Sequence, residues 1–219
     1  MEEAKMKKLV LMGLAASLGV AQAQLWTEVG DAGDLPGTAQ ITVGSGALDF
    51  ISGFIGNNPA ADGNDKDMYC IYVADTSLFS ATTVGGSSLD TQLFLFNTGG
   101  FGVTFNDDHP GGSVLQSTIT GTFLPGPGHY YLAISRYDRD PVDATGAELW
   151  LDTPYDVERA PDGPGAGSPI FDWNGTAAST LTGAYRISLT GASYCAVPEP
   201  ATLAALGLGL AAVVRRRKK

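Results

Sequence analysis

Apolar side chains in the middle of this chain recur at every second position, and no ten-residue stretch between 24 and 195 carries a helical stripe. The clearest example is the segment 185–190, in which Tyr185, Ile187 and Leu189 fall on one face. Alternation with a period of two is typical of a β-strand that buries one side. The pattern therefore predicts an all-β fold and argues against a helical bundle.

Other segments fit the same fold. Segment 91–96 is apolar almost throughout, as expected of a central strand buried on both faces. Gly and Pro number 29 and 12, and they cluster between the apolar segments as turn residues do. Short strands separated by such turns predict an antiparallel β-sandwich or jelly roll. Further strands are predicted at 68–73 and 130–135, weaker ones at 40–43, 81–84, 102–105, 117–123 and 148–151, and a long irregular loop at 152–168.

The N-terminus reads as an export signal. Three lysines precede an apolar run over 9–20, which ends in two small residues, Ala21 and Ala23. A basic start, a short apolar helix and an A-x-A site are the parts of a secretory signal peptide. We therefore expect the general secretion machinery and signal peptidase to process residues 1–23, with cleavage before Gln24.

The C-terminus has an equally definite order. Pro198, Glu199 and Pro200 precede an apolar stretch at 201–214, which five consecutive basic residues follow. As a helix this stretch would span about 21 Å, short of the roughly 30 Å hydrocarbon core. The basic residues would stay on the cytoplasmic side. We expect a transient inner-membrane anchor presented to a processing enzyme; a permanent single-pass anchor is the alternative.

The proline–glutamate–proline sequence, the apolar helix and the basic tail together resemble the PEP-CTERM sorting signal of Gram-negative bacteria. The resemblance implies that an exosortase recognises the motif and removes the tail. It also implies a destination at the cell surface or in the extracellular matrix, in hosts that typically make exopolysaccharide and biofilm. The chain is then expected to comprise a signal peptide at 1–23, a β-sandwich at 24–195 and a sorting signal at 196–219.

The body has a resemblance of its own. In order along the chain, five segments are similar to the bacterial pre-peptidase C-terminal domain, a small β-sandwich appended to secreted enzymes and surface proteins. The likeness covers roughly 51–190 and departs from the family in a long insertion at 136–179. The segments that carry it are 67–69, 89–97, 106–108, 128–132 and 183–187.

The net charge and the absence of catalytic motifs argue against two classes of function. Between 24 and 197 the chain holds five Lys/Arg against 20 Asp/Glu, a difference of −15, which would repel a phosphate backbone. The two histidines, His109 and His129, do not form H-E-x-x-H, and the sequence has no G-x-S-x-G or Walker A motif. We therefore expect neither nucleic-acid binding nor catalysis. A secreted hydrolase stays open, because a triad is defined by geometry rather than by sequence order.

Two acidic loops are candidate Ca²⁺ sites. Carboxylate and amide oxygens are the ligands that Ca²⁺ prefers, but Asp and Asn also cap turns through their own backbone. A further acidic turn holds Asp138, Asp140 and Asp143. The candidate ligands are Asp62, Asn64, Asp65 and Asp67 in the first loop, and Asp107 and Asp108 in the second.

The cysteines and tryptophans complete the expectations. In an oxidising exported location Cys70 and Cys195 favour one disulfide, although Cys70 as a buried apolar residue and Cys195 as a free thiol is the alternative. Trp26, Trp150 and Trp173 either stack on sugars or plug the core. The sequence thus favours a non-catalytic exported surface or matrix protein. A carbohydrate- or calcium-binding module is the second hypothesis.

Overall fold

A computed structural model describes residues 24–57, 64–175 and 181–196. Strands account for nearly all of the regular structure in these ranges, which confirms the all-β prediction. Two single-turn 3₁₀ helices, Thr76–Leu78 and Gly121–Phe123, are the exceptions among the described residues. The strands are β1 (Leu25–Thr27), β2 (Gln40–Ile41), β3 (Phe50–Ile55), β4 (Asp67–Val73), β5 (Ser80–Thr82), β6 (Thr91–Asn97), β7 (Gly102–Asn106), β8 (Thr118–Thr120), β9 (Gly128–Arg136), β10 (Pro141–Val142), β11 (Asp172–Trp173), β12 (Gly183–Thr190) and β13 (Ala192–Tyr194).

The strands form two large sheets and one small two-stranded sheet. The first large sheet has the order β1-β3-β12-β5-β8, and the second has the order β13-β4-β9-β6-β7 with β2 also paired to β4. β10 and β11 form the two-stranded sheet. The expectation of purely antiparallel sheets was wrong, because β1 pairs with β3 and β2 with β4 in parallel. Parallel neighbours need a long crossover, and the N-terminal segment supplies one by visiting both sheets.

The main core lies between the two sheets. Tyr69, Ile71 and Val73 of β4 point into it, as their alternation predicted. Ile187 and Leu189 of β12 enter from the opposite sheet. Residues of both sheets thus share one buried cluster, consistent with a β-sandwich.

A second core covers the outer face of the second sheet. Phe94 and Phe96 of β6 point away from the main core and pack against Trp150 and Trp173, which belong to the predicted insertion. Ring centroids of Phe94 and Trp173 lie 5.3 Å apart in a T-shaped contact. The described part of this insertion, 136–175, therefore covers this face of the sheet. Because both faces of β6 are covered, its sequence is apolar throughout.

One predicted strand does not form. Segment 148–151 is not a strand; Glu148 makes a single isolated bridge to Val142. Leu149 and Trp150 are nevertheless buried. Their apolar character reflects burial of a loop against β6, and the irregular loop predicted after it, at 152–168, is present without strands.

Several predicted features lie outside the described residues. They are the signal peptide with Ala21 and Ala23, the sorting motif Pro198, Glu199 and Pro200, the apolar C-terminal helix, and Asp62. Among the residues that the structure describes, no helix is long and apolar enough to cross a membrane.

Candidate functional site

The last described residues are attached to the second sheet at β4. Tyr194 of β13 lies opposite Ile71 of β4, which brings Cys195 beside Cys70. The structure joins the two cysteines in a disulfide whose Cα atoms lie 5.4 Å apart, within the usual range for a disulfide. The predicted cleavage residue Gln24 donates its backbone N–H to the Asp49 carboxylate at 2.9 Å, and the carbonyl of the next residue, Leu25, accepts from the Tyr194 hydroxyl at 3.3 Å.

Hydrogen bonds fix the same exit point. The N–H of Ala196 donates to the Thr42 carbonyl, and the N–H of Gly44 donates to the Ala196 carbonyl, both at 3.0 Å. The N–H of Cys195 donates to Thr42 Oγ1 at 2.9 Å, and His129 Nε2 lies 3.1 Å from the Cys195 carbonyl oxygen. We call Thr42, Gly44, Cys70, His129, Cys195 and Ala196 the exit clamp. It holds the chain at a defined place on the sandwich surface.

Acidic side chains gather at three places in the described part of the chain. In each group the carboxylate oxygens lie within 4.8 Å of one another. The sequence analysis named one member of the first group, two of the second and two of the third. It missed Glu28, Asp31, Asp90 and Asp152. The groups are Glu28, Asp31 and Asp67; Asp90, Asp107 and Asp108; and Asp138, Asp140 and Asp152.

The described residues of the first predicted calcium loop contact different partners. Asn64 Oδ1 accepts a hydrogen bond from Arg139 Nε at 2.8 Å. Asp65 Oδ2 accepts from the N–H of Gly56 at 2.5 Å. These two side chains thus bind protein groups outside their own turn, and Asp67 alone of the described loop residues joins an acidic group.

Asp67 is buried in a chain of hydrogen bonds. Tyr185 donates its hydroxyl hydrogen to Asp67 Oδ2 at 2.6 Å, and the hydroxyl oxygens of Tyr185 and Tyr69 are 2.5 Å apart. Burial, followed by the nearby charges of Asp65 and Glu28, raises the pKa of Asp67 to about 9. Without a bound cation, this carboxyl group therefore carries a proton at neutral pH.

The second acidic group lines a pocket. The pocket has a volume of about 220 Å³ and lies between the start of β6 and the end of β7, with Tyr137 and Tyr155 on its other side. Asp107 is 2% exposed. Burial is the largest cause that raises the pKa of Asp107 to about 8 and that of Asp90 to about 6, and like charges add to it.

In the third acidic group, the buried carboxylate has a hydrogen-bond partner. Asp140 Oδ1 accepts a hydrogen bond from Gln92 Nε2 at 3.1 Å. Burial first, and then Asp138, raise the pKa of Asp140 to about 8. Asp152 is exposed at the rim of this group. Asp143, from the same acidic turn in the sequence, instead caps its turn by accepting from the N–H groups of Thr145 and Ala147.

The histidines lie apart from the acidic groups. His109 Nδ1 lies 2.8 Å from Thr118 Oγ1, and Thr118 Oγ1 lies 2.6 Å from Thr82 Oγ1. His129 belongs to the exit clamp. Neither histidine belongs to an acidic group found in the described ranges.

The tryptophans lie in the interior rather than on a sugar-binding surface. Trp150 and Trp173 are 2% and 9% exposed, and their Nε1 atoms donate to the carbonyls of Arg159 and Asp34. Trp26 is half-buried and donates to Gln40 Oε1. The core interpretation of Trp150 and Trp173 is therefore correct.

Comparison with known proteins identifies one segment. Residues 196–218 match the PEP-CTERM protein-sorting motif. No curated protein matches the chain. The match begins at Ala196, which also belongs to the exit clamp. The likeness of the body to the pre-peptidase C-terminal domain rests on the sequence alone and stays a prediction.

Proposed function

We propose that this chain is an exported protein sorted by an exosortase, and that its β-sandwich is a non-catalytic component of the cell surface or extracellular matrix, associated with exopolysaccharide. The PEP-CTERM motif at 196–218 carries the proposal. The acidic body and the predicted signal peptide agree with export.

The position of the motif supports removal of the tail without damage to the fold. The disulfide and the hydrogen bonds of the exit clamp hold Cys195 and Ala196. The sorting residues Pro198, Glu199 and Pro200 follow after Val197. Cleavage there would keep these bonds of the exit clamp.

The non-catalytic role is supported by what the candidate catalytic groups contact. His109 Nδ1 is hydrogen-bonded to the Thr118 hydroxyl, which is itself hydrogen-bonded to the Thr82 hydroxyl. Among the described residues, the lining of the pocket of about 220 Å³ consists of three aspartates, two tyrosines and Leu115, without Ser, Cys or His. A panel of hydrolase substrates should give no turnover with the chain recovered from its host, and turnover that tracks a His109→Ala change would contradict this part of the proposal.

Replacing Pro198, Glu199 and Pro200 with alanine should abolish tail removal in the native host. The change deletes the chemistry that the enzyme is proposed to recognise and touches no described contact. The measurement is the intact mass of the chain recovered from cell and medium fractions. The variant should keep its arginine-lysine end and stay with the membrane fraction.

A matched control uses another proline pair. Pro125 and Pro127 flank one residue in an exposed turn of the sandwich, so alanine at both positions changes two prolines outside the motif. This control should be processed like the unmodified chain. Normal tail removal in the Pro198, Glu199 and Pro200 variant would overturn the sorting proposal.

A second candidate function is cation binding by the sandwich. Three clusters of acidic side chains, in a body with few basic residues, favour cation binding. The carbohydrate alternative has less support, because Trp150 and Trp173 are enclosed in the core.

A further inference from the structure

The pocket between β6 and β7 is built by strand geometry. Asp90 immediately precedes β6, whereas Asp107 and Asp108 immediately follow β7. β6 and β7 are antiparallel neighbours, with Leu93 opposite Asn106, so the start of one strand lies beside the end of the other. Three carboxylates from two separate loops thereby meet at one edge of the sheet.

The wall opposite them comes from the cover of the sheet. The N–H of Asp108 donates to the Tyr155 carbonyl at 3.0 Å, and the N–H of Tyr137 donates to the Asp90 carbonyl at 3.1 Å. The rings of Tyr137 and Tyr155 meet at 6.0 Å. Backbone bonds therefore hold both sides of the pocket, and these bonds do not use the carboxylate oxygens.

Asp107 is the most informative of these carboxylates. It is 98% buried from solvent, and its Oδ1 atom has no hydrogen-bond partner within the described ranges. A buried carboxylate oxygen without a partner is costly. Its carboxylate lies within 4.8 Å of those of Asp90 and Asp108, so the unsatisfied group belongs to the pocket.

Turn capping does not explain these side chains. Asp75 and Asp143 are capping acids of this protein, and each accepts a hydrogen bond from the backbone N–H group two positions later in the chain. In the part of the chain that the structure describes, Asp107 Oδ1 accepts none. The two classes of acid are therefore distinct.

The neighbouring charges leave the pocket negative. Arg136, 7% exposed, is the basic residue whose charge acts on Asp90. It forms no salt bridge among the described residues, where the two ion pairs involve Lys66 and Arg159. Asp156 adds a further negative charge beside Asp108. In the described part of the chain, the acidic groups around this pocket thus outnumber the one guanidinium group that acts on Asp90.

We propose that Asp90, Asp107 and Asp108 bind a divalent cation of the hard class, with Ca²⁺ as the fitting ion. Oxygen ligands of Ca²⁺ lie at about 2.3–2.6 Å from the ion, so two ligands of one ion are at most about 5 Å apart. The three carboxylates satisfy that limit. An all-carboxylate set without His or Cys disfavours Zn²⁺ and Cu²⁺, and the pocket has room for water ligands. This proposal gives a location to the second candidate function, cation binding, and does not depend on removal of the tail.

The test is calorimetric titration of the full chain, recovered from its native host and freed of metal by a chelator, with CaCl₂. The unmodified chain should bind Ca²⁺ and show a higher Tm in its presence. Asp107→Asn keeps the shape of the side chain and removes its charge. This variant should bind at least about tenfold more weakly and lose the Ca²⁺-dependent rise in Tm. Its Tm without metal should be close to that of the unmodified chain, because asparagine fills the same buried space as aspartate.

Asp152→Asn is the matched control. It makes the same chemical change at an exposed position of another acidic group, and it should leave Ca²⁺ binding unchanged. Absence of binding heat with the unmodified chain would overturn the proposal, and so would equal affinity of Asp107→Asn and the unmodified chain. Failed tail removal with intact Ca²⁺ binding would count against the sorting proposal alone.

Discussion

Replacing both Cys70 and Cys195 with alanine should lower the free energy of unfolding by about 5 kcal/mol. The disulfide joins residues separated by 125 positions, so in the chain-entropy model it removes much of the freedom of the unfolded chain. It also holds β13 against β4. For a domain of this size, a loss of that magnitude corresponds to a fall in Tm of roughly 10–20 °C.

The measurement is chemical and thermal unfolding of the unmodified chain and of the double variant. Dithiothreitol should lower the Tm of the unmodified chain to that of the variant and leave the variant unchanged, which separates loss of the bond from loss of the side chains. A Tm that is equal for the variant and the oxidised chain would show that the bond contributes nothing. Alkylation of two thiols in unreduced protein would show that it does not form.

In chelator, the chain should become less stable as the pH rises from about 5 to about 9, and Asp67→Asn should reduce that dependence. The pKa of Asp67 is raised from 3.8 to about 9 in the folded protein, chiefly by burial. Between these values the folded state binds more protons than the unfolded state, so the free energy of unfolding falls as the pH rises. One such proton changes it by up to about 1.4 kcal/mol per pH unit.

Asparagine at position 67 keeps an oxygen to accept the Tyr185 hydroxyl and cannot ionise. Thermal unfolding across the pH range, in a chelator, is the measurement. The variant should be more stable than the unmodified chain at pH 8 and about equal to it at pH 5. Asp172→Asn, at an exposed carboxylate, should preserve the original slope. An Asp67→Asn variant that is less stable at pH 8 would show that this carboxylate is charged and compensated in the folded protein.

Apolar patterns were sufficient to predict the central strands. Alternation identified β4 and β12, which bury alternate side chains between the sheets, whereas β6 was predicted from a continuous apolar run because both of its faces are covered. Neither pattern could predict the parallel pairing of β1 and β2. Those strands are two or three residues long and join the edges of the sheets, so tertiary contacts rather than local pattern determine their partners.

Segment 148–151 shows a second limit. Leu149 and Trp150 resemble strand residues because they are apolar, yet they are buried in a loop that covers β6. A local sequence pattern reports burial, and burial against the outer face of a sheet looks the same as burial between sheets.

The acidic pocket was partly predictable. Asp107 and Asp108 were identified from their loop, whereas Asp90 was missed because it stands alone in the sequence, one residue before β6. The predicted strands at 91–96 and 102–105 contain the missing information, since an antiparallel pair places the start of one strand beside the end of the other. The first loop misled because Asn64 and Asp65 bind neighbouring protein groups.

The exit clamp determines how mechanical load would enter the molecule. A pull on the C-terminal end, from a polymer or a surface to which that end is fixed, would act first on Cys195 and pass through its covalent link to Cys70. β4 is bonded along its whole length to β9, so the force would reach the interior of the sheet instead of stripping β13 from its edge. Such an attachment suits a protein that must stay folded under drag, and the thiol state of the surroundings would decide how much tension it withstands.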